Sequence, residues 1–269
     1  MTDLLHTLLL GIIEGITEFL PISSTGHLLI AEKLGLGARS DLFNVVIQAG
    51  AILAVVLIYR QRLWQLAAGF LQRGPDASIQ RDYAWKLIVA FAITAALGFA
   101  VTKLGFKLPE TITPVAWALV IGGIWMLAAE RLAANKPDST HVTWLVAILV
   151  GVAQVVAAVF PGTSRSAAAI FIALLAGTGN RPAATEFAFL VGIPTMFAAS
   201  GYELLKYHHT GGTHEDWSAL ALAFVVSLVT AFIAVKWLLG YIRSHRFTAF
   251  AIYRIVLGIA LLLLMPAGA

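Results

Sequence analysis

An all-α polytopic membrane protein, arranged as an inverted repeat with two re-entrant half-helix hairpins plus six transmembrane helices, is the predicted fold class. Three observations predict it. Of the 269 residues, 59% are hydrophobic and only 12% charged, where soluble globular domains carry about a quarter charged residues. Several apolar runs approach the roughly 20 residues a helix needs to cross a bilayer. A short polar cluster around a proline occurs at 14–27 and, in partial form, at 154–166. No polar segment is long enough for a separate soluble domain. One integral membrane domain over 1–269 is expected, with repeat 1 at about 1–131 and repeat 2 at about 141–269.

Residues 4–20 are apolar but short and interrupted by carboxylates, and Pro21 ends the run. A second short helical stretch, 23–34, closes at Gly35 and Gly37. Two half-length helices joined at a Pro-Ile-Ser turn predict a re-entrant hairpin; the alternative is one helix kinked at Pro21. Non-helical backbone at membrane depth is tolerated only where protein or a water-filled cavity covers it. Full spans follow at 42–59, 84–104 and 113–131. Residues 142–160 then run to Pro161, and 164–177 form another short helix ending at Gly177 and Gly179. Spans at 183–206, 217–240 and 248–267 complete the chain.

At an offset of 140, Gly11, Glu14, Pro21 and Ser24 align with Gly151, Gln154, Pro161 and Ser164. Three full spans per unit make the second copy enter from the opposite side, which is the inverted-repeat plan with broken helices meeting near the midplane. Loop charge orients the chain. Arg60, Arg62, Arg73, Arg81, Lys86, Arg131, Lys136, Arg181, Arg243 and Arg246 lie on one side, ten cations against five (Lys33, Arg39, Lys103, Lys107 and Lys206) on the other. The positive-inside rule places the ten in the cytoplasm and the mouth of the first hairpin outside. The carboxylates in the first apolar run argue against a cleavable signal peptide. Absence of cysteine excludes disulfides and thiolate chemistry. The net charge of +4 is scattered over loops and gives no nucleic-acid signal.

Glu14 and Glu18 are four apart, so on a helix they share a face. Intramembrane acids point to function. A divalent cation between them would relieve their repulsion and bridge to phosphate oxygens, as Mg²⁺ tends to do. Ser23 then reads as an N-cap, with Ser24 and Thr25 in the first helical turn. The free amides and positive dipole end there favour an anion, and Gly26 leaves room for close approach. His27 is three residues from Ser24, a spacing expected to bring it within reach of that hydroxyl for nucleophilic or acid–base chemistry. The second cluster, Pro161-Gly162-Thr163-Ser164-Arg165-Ser166, repeats the break and cap and adds a cation whose planar fork matches phosphate. Glu186 is the alternative partner for Arg165. Gln154 and Ala158 replace the two acids, so one half would supply acids, hydroxyls and imidazole and the other the clamp.

Other polar residues carry weaker signals. Asp41, Asn44 and Gln48 share a face of the first full span and are candidates to line the cavity or to bond between helices. Arg254 and Lys236 are expected to snorkel to the cytoplasmic side. His208, His209, His214, Glu215 and Asp216 read as solvated loop polarity rather than a metal cluster.

Glu-Gly-Ile-Thr-Glu-Phe-Leu-Pro-Ile-Ser-Ser-Thr-Gly-His at 14–27, with Pro-Gly-Thr-Ser-Arg-Ser at 161–166, resembles the bacitracin-resistance family of undecaprenyl-diphosphatases. The similarity continues through Phe43-Asn-Val-Val-Ile-Gln48, Glu186-Phe-Ala-Phe and Phe250-Ala-Ile-Tyr-Arg254. The resemblance implies hydrolysis of undecaprenyl diphosphate to the monophosphate carrier of cell-wall synthesis, and a bacterial inner-membrane enzyme with an outward-facing site. It implies a divalent cation, Mg²⁺ or Ca²⁺, held by Glu14 and Glu18. Ser24 and His27 would be the reactive hydroxyl and imidazole, with Glu18 and Arg165 completing the catalytic set. Ser23, Thr25, Gly26, Gly162, Thr163, Ser164 and Ser166 would join Arg165 around the phosphates. Whether Ser24, His27 or water attacks stays open. The implied partners are the polyprenyl diphosphate lipid and the bilayer, with a homodimer compatible and no nucleic acid. In the family the second motif commonly continues Ser-Gly-x-Thr; here it reads Ser166-Ala167-Ala168-Ala169, without that hydroxyl. A polyprenyl-phosphate carrier is the rival reading, because inverted repeats with broken helices also serve transport.

Overall fold

Proline and serine punctuation breaks the first apolar run into two helices. In the computed structural model, which describes residues 2–37, 39–104, 111–209 and 216–265, α1 (Thr2–Thr17) stops before Pro21 and α2 (Ser24–Ala31) starts at the serine cap. The intervening residues 18–23 are non-helical, so the kinked single helix is excluded. α2 is shorter than the expected 23–34 and runs into a π-helical turn, Glu32–Leu36, which closes at Gly37. The Ser40 hydroxyl caps α3 (Asp41–Ile58), accepting from Phe43 N at 3.0 Å.

Next comes a helix the apolar-run reading missed, α4 (Arg60–Leu71), packed against the N-terminal turns of α5 (Pro75–Lys103). α5 therefore begins nine residues before the expected 84. After α6 (Ile112–Ala133), the Thr143 hydroxyl caps α7 (Trp144–Val159), a non-helical break covers 160–164, and α8 (Arg165–Ala176) follows. α9 (Arg181–His209) carries Pro194 in its interior, α10 (Trp217–Tyr241) is capped by Asp216, and α11 (Thr248–Leu264) ends the described chain.

Five helices, α3, α5, α6, α9 and α10, are long and apolar enough to cross a membrane. The sixth expected span, 248–267, is a 17-residue helix in the described residues. Among the described residues there is no strand, and the chain is an all-helical, multi-pass membrane protein. Of the outer-loop cluster, His214 and Glu215 lie outside the described residues, as does Lys107 of the charge comparison.

The first break is fixed by its apolar half. Phe19, Leu20 and Ile22 are buried in the main core with Phe171, Phe187 and Phe189, and the Phe19 and Phe189 rings meet edge to face at 5.0 Å. With those side chains committed to the core, the alternate polar residues of the same segment turn to the opposite side, where the second break meets them.

Candidate active site

The two breaks enclose a small pocket of about 160 Å³, lined by Glu18, Ser23, Ser24 and Thr25 from the first, and by Ala157, Ala158, Pro161, Gly162, Ser164 and Arg165 from the second. Gln48 of α3 completes the wall, while Asn44 turns to Glu32, 3.5 Å away, and Asp41 is exposed outside the lining. Each half-helix starts with a capping serine in the left-handed region, Ser23 at φ 76° and Ser164 at φ 68°. Their hydroxyls accept from Gly26 N and Ala167 N, both at 3.3 Å. The equivalent caps are thus Ser23 and Ser164, one residue out of register with the sequence offset that pairs Ser24 with Ser164. The true counterpart of Ser24 is Arg165, each the first residue of its helix.

Those two residues converge on one carboxylate. Arg165 Nη2 donates to Glu18 Oε1 at 2.6 Å, and the Ser24 hydroxyl donates to Glu18 Oε2. Glu18 is nearly buried, while Arg165 keeps about a quarter of its side chain exposed. Glu186, the alternative partner for Arg165, instead accepts from Arg62 at 2.9 Å at a separate site. A carboxylate held by a guanidinium at the starts of two helices occupies the environment an anion would seek.

Glu14 is fully buried one turn before Glu18, outside the pocket lining, and neither of its oxygens has a hydrogen-bond partner. Among the described residues no cluster of three metal-binding side chains exists. Two carboxylates are nevertheless what Mg²⁺ typically takes from a protein when phosphates supply further oxygens, and orphaned acidic oxygens fit that demand. Gln154, the counterpart of Glu14, is likewise buried and unpartnered.

Other expected site residues fall elsewhere. His27 lies outside the lining and makes no bond to Ser24: Nδ1 is 2.7 Å from the Ser23 carbonyl and Nε2 is 2.7 Å from the Tyr253 hydroxyl. The Ser24 hydroxyl turns back to Glu18 instead, so the three-residue spacing does not bring the imidazole to it. Gly26 packs against Val115 rather than facing the cavity. Ser166 bridges the breaks, donating to the Leu20 carbonyl at 3.2 Å and lying 3.1 Å from the Ser164 hydroxyl. Thr163 contributes its carbonyl to Arg254. Ala167 and Ala169, where the family pattern has other residues, sit in the core and not on the pocket wall.

Arg254 corrects the snorkelling expectation. It is fully buried and reaches both breaks: Nη1 donates to the carbonyls of Pro21 (3.3 Å) and Thr163 (2.9 Å), and Nη2 to those of Gly162 (2.9 Å) and Ala118 (3.1 Å). Breaking a helix at membrane depth orphans carbonyls, and a five-donor fork is suited to gather them. Gly122 leaves the space, since a Cβ there would stand 2.2 Å from Nη2. Lys236 is exposed and lies over the Phe232 ring.

Fold and site together define a polytopic membrane protein with an anion-seeking pocket between two broken helices. The sequence model of the family described as "Bacitracin resistance protein BacA" matches residues 7–260, and the chain belongs to that family. Among curated relatives, a protein of Rhizobium etli named undecaprenyl-diphosphatase is 69% identical over 267 residues, covering 99% of this chain and 98% of the relative. One of Rhizobium leguminosarum bv. trifolii with the same name is 67% identical over 99% and 98%. A third, from Xanthomonas euvesicatoria pv. vesicatoria and also so named, is 62% identical over the full length of both chains.

Proposed function

We infer that this chain is an undecaprenyl-diphosphate phosphatase. It hydrolyses the phosphoanhydride of undecaprenyl diphosphate to undecaprenyl phosphate and inorganic phosphate, returning the carrier lipid to peptidoglycan synthesis and conferring bacitracin resistance. The observation that carries the reading is the convergence of Ser24 and Arg165 on Glu18, in a family whose relatives bear that enzyme's name. The pocket is small and polar-walled, so it takes the headgroup while the prenyl chain stays among lipid and helices.

The Ser24 hydroxyl, its proton directed at Glu18, either attacks the terminal phosphoryl group, whose bond to the bridging oxygen breaks as undecaprenyl phosphate leaves and which water then releases from the serine as inorganic phosphate, or orients a water that displaces undecaprenyl phosphate directly. The acceptor for that proton is Glu18, since His27 is engaged elsewhere. Arg165 is shared between Glu18 and a phosphate oxygen, and the first-turn amides of α2 and α8 offset charge on the transferred group. Gly162 and Ser164 border the same oxygens, with Thr25 at the rim. A divalent cation, Mg²⁺ or Ca²⁺, held by Glu14 and Glu18, would neutralise diphosphate charge.

We place the protein in the bacterial inner membrane with the pocket open to the periplasm, on the loop-charge asymmetry. An inverted repeat is supported by exchange between halves: α1 lies on α10 and α7 on α5. A Cβ on Gly11 would stand 2.8 Å from the Ala223 carbonyl and 3.1 Å from Val226 Cβ; on Gly151, 2.6 Å from the Ala90 carbonyl and 3.1 Å from Ile93 Cβ. The same crossing is thus made twice.

The test is phosphate release from undecaprenyl diphosphate by purified protein in detergent, where no second compartment exists. Wild type is expected to turn over and to stop on chelation. Glu18→Gln and Arg165→Lys are each expected to lose about 10²-fold or more in kcat. Lipid binding without phosphate release, with either cation present, would refute the enzyme and favour the carrier.

A further inference from the structure

Both ring nitrogens of His27 are engaged although the ring lies outside the pocket. Its partners are the Ser23 carbonyl on Nδ1 and the Tyr253 hydroxyl on Nε2, the latter 226 residues away. The two rings stack with centroids 5.7 Å apart and planes within 9°. A carbonyl only accepts, so Nδ1 carries a proton; in the neutral imidazole Nε2 then holds the lone pair and Tyr253 donates. The Ser23 carbonyl also receives the His27 backbone amide at 3.2 Å. His27 therefore grips from two atoms the residue next to Ser24.

The second break provides the internal control. Ser164 adopts the same left-handed conformation, and Ala168 stands at the position of His27, four residues after the cap. The Ala168 amide reaches the Ser164 carbonyl at 3.0 Å with no imidazole to help. The cap turn thus forms without a histidine, and the first break differs in carrying the hydroxyl that bonds Glu18.

We propose that Tyr253 is a positioning residue for the phosphatase reaction: its hydroxyl anchors Nε2 of a His27 ring that the Ser23 carbonyl holds as the Nδ1–H tautomer, and so keeps that ring pinned to the Ser23 carbonyl beside Ser24. The kinetic consequence rests on the phosphatase reading; the tautomer does not.

The test uses ¹⁵N-histidine-labelled protein in detergent, with the His27 resonances identified by their loss in His27→Gln. Wild type is expected to show a protonated Nδ1 and an unprotonated, hydrogen-bonded Nε2. Tyr253→Phe keeps the ring and the stack, and is expected to shift the Nε2 resonance as its hydrogen bond is lost, with Nδ1 still protonated, and to lower kcat about tenfold at unchanged KM. Tyr253→Leu, which removes the ring as well, is expected to lose at least as much with its melting temperature measured alongside. An Nε2–H tautomer or an imidazolium in wild type overturns the proposal, as does a Tyr253→Phe protein with unchanged His27 shifts or unchanged kcat. A wild type that shows the Nδ1–H ring but releases no phosphate sinks the phosphatase reading and leaves the tautomer assignment standing.

Discussion

Arg254 is the residue whose loss should be felt most widely, because it is a buried cation with backbone carbonyls of both breaks for partners. Its fork reaches Pro21 in one direction and Gly162 and Thr163 in the other. A lysine there carries a single ammonium and cannot span both breaks. Each carbonyl left unpaired costs about 1–3 kcal/mol. Arg254→Lys is therefore expected to melt about 5–10 °C lower in detergent, on the scaling of 2–4 °C per kcal/mol for a chain of this size. Phosphatase activity should fall with it, since Gly162, one of the residues that Arg254 holds, lines the pocket. An unchanged melting curve would show that the guanidinium does not hold the breaks. Nothing local in the sequence marks this role: the partners lie 91 to 233 residues away, and an arginine near a span end reads as an interfacial anchor.

The hairpins were legible as elements because break, cap and helix start are all local chemistry, written within seven residues as Pro21 to His27 and again as Pro161 to Ser166. Their register was not. Serine matched serine at an offset of 140, yet the second break has one more residue between its proline and its cap, Pro161 to Ser164 against Pro21 to Ser23, so the caps are Ser23 and Ser164. α4 escaped because it is amphipathic and short, and a search for apolar runs passes over it. What holds the elements together is close approach, which gives a prediction at this scale. Gly11→Ala and Gly151→Ala each drive a methyl to within 2.8 Å of a carbonyl on the facing helix, which backbone cannot easily yield. Gly98 in α5 has nothing within 4 Å of such a methyl. Gly98→Ala is expected to fold and melt as wild type, and the other two to lower the melting temperature by several degrees, the overpacking cost being about 1–3 kcal/mol. Equal damage at all three positions would mean that the crossings are not the tight points.

Over the whole molecule, the ten-to-five asymmetry of basic residues and the fold must agree on which way the chain sits. α5 carries the chain from Gln72 at one end to Thr111 beyond the other, and both residues are exposed. Arg60, Arg62, Arg73 and Arg81 cluster at the Gln72 end, with α4 between them. The retention of cations on the cytoplasmic face therefore predicts Gln72 inside and Thr111 outside. With that orientation the mouth of the first hairpin is expected outside, as the proposed outward-facing phosphatase requires. Because the chain has no cysteine, each position can carry the sole thiol of a single-site variant. In intact cells a membrane-impermeant maleimide is expected to label Thr111→Cys at once and Gln72→Cys only after lysis. The reverse pattern would turn the pocket to the cytoplasm, and the released phosphate would then appear on that side of the membrane. Equal labelling of both positions before lysis would instead point to a population inserted in two orientations, which the twofold charge bias would have failed to prevent.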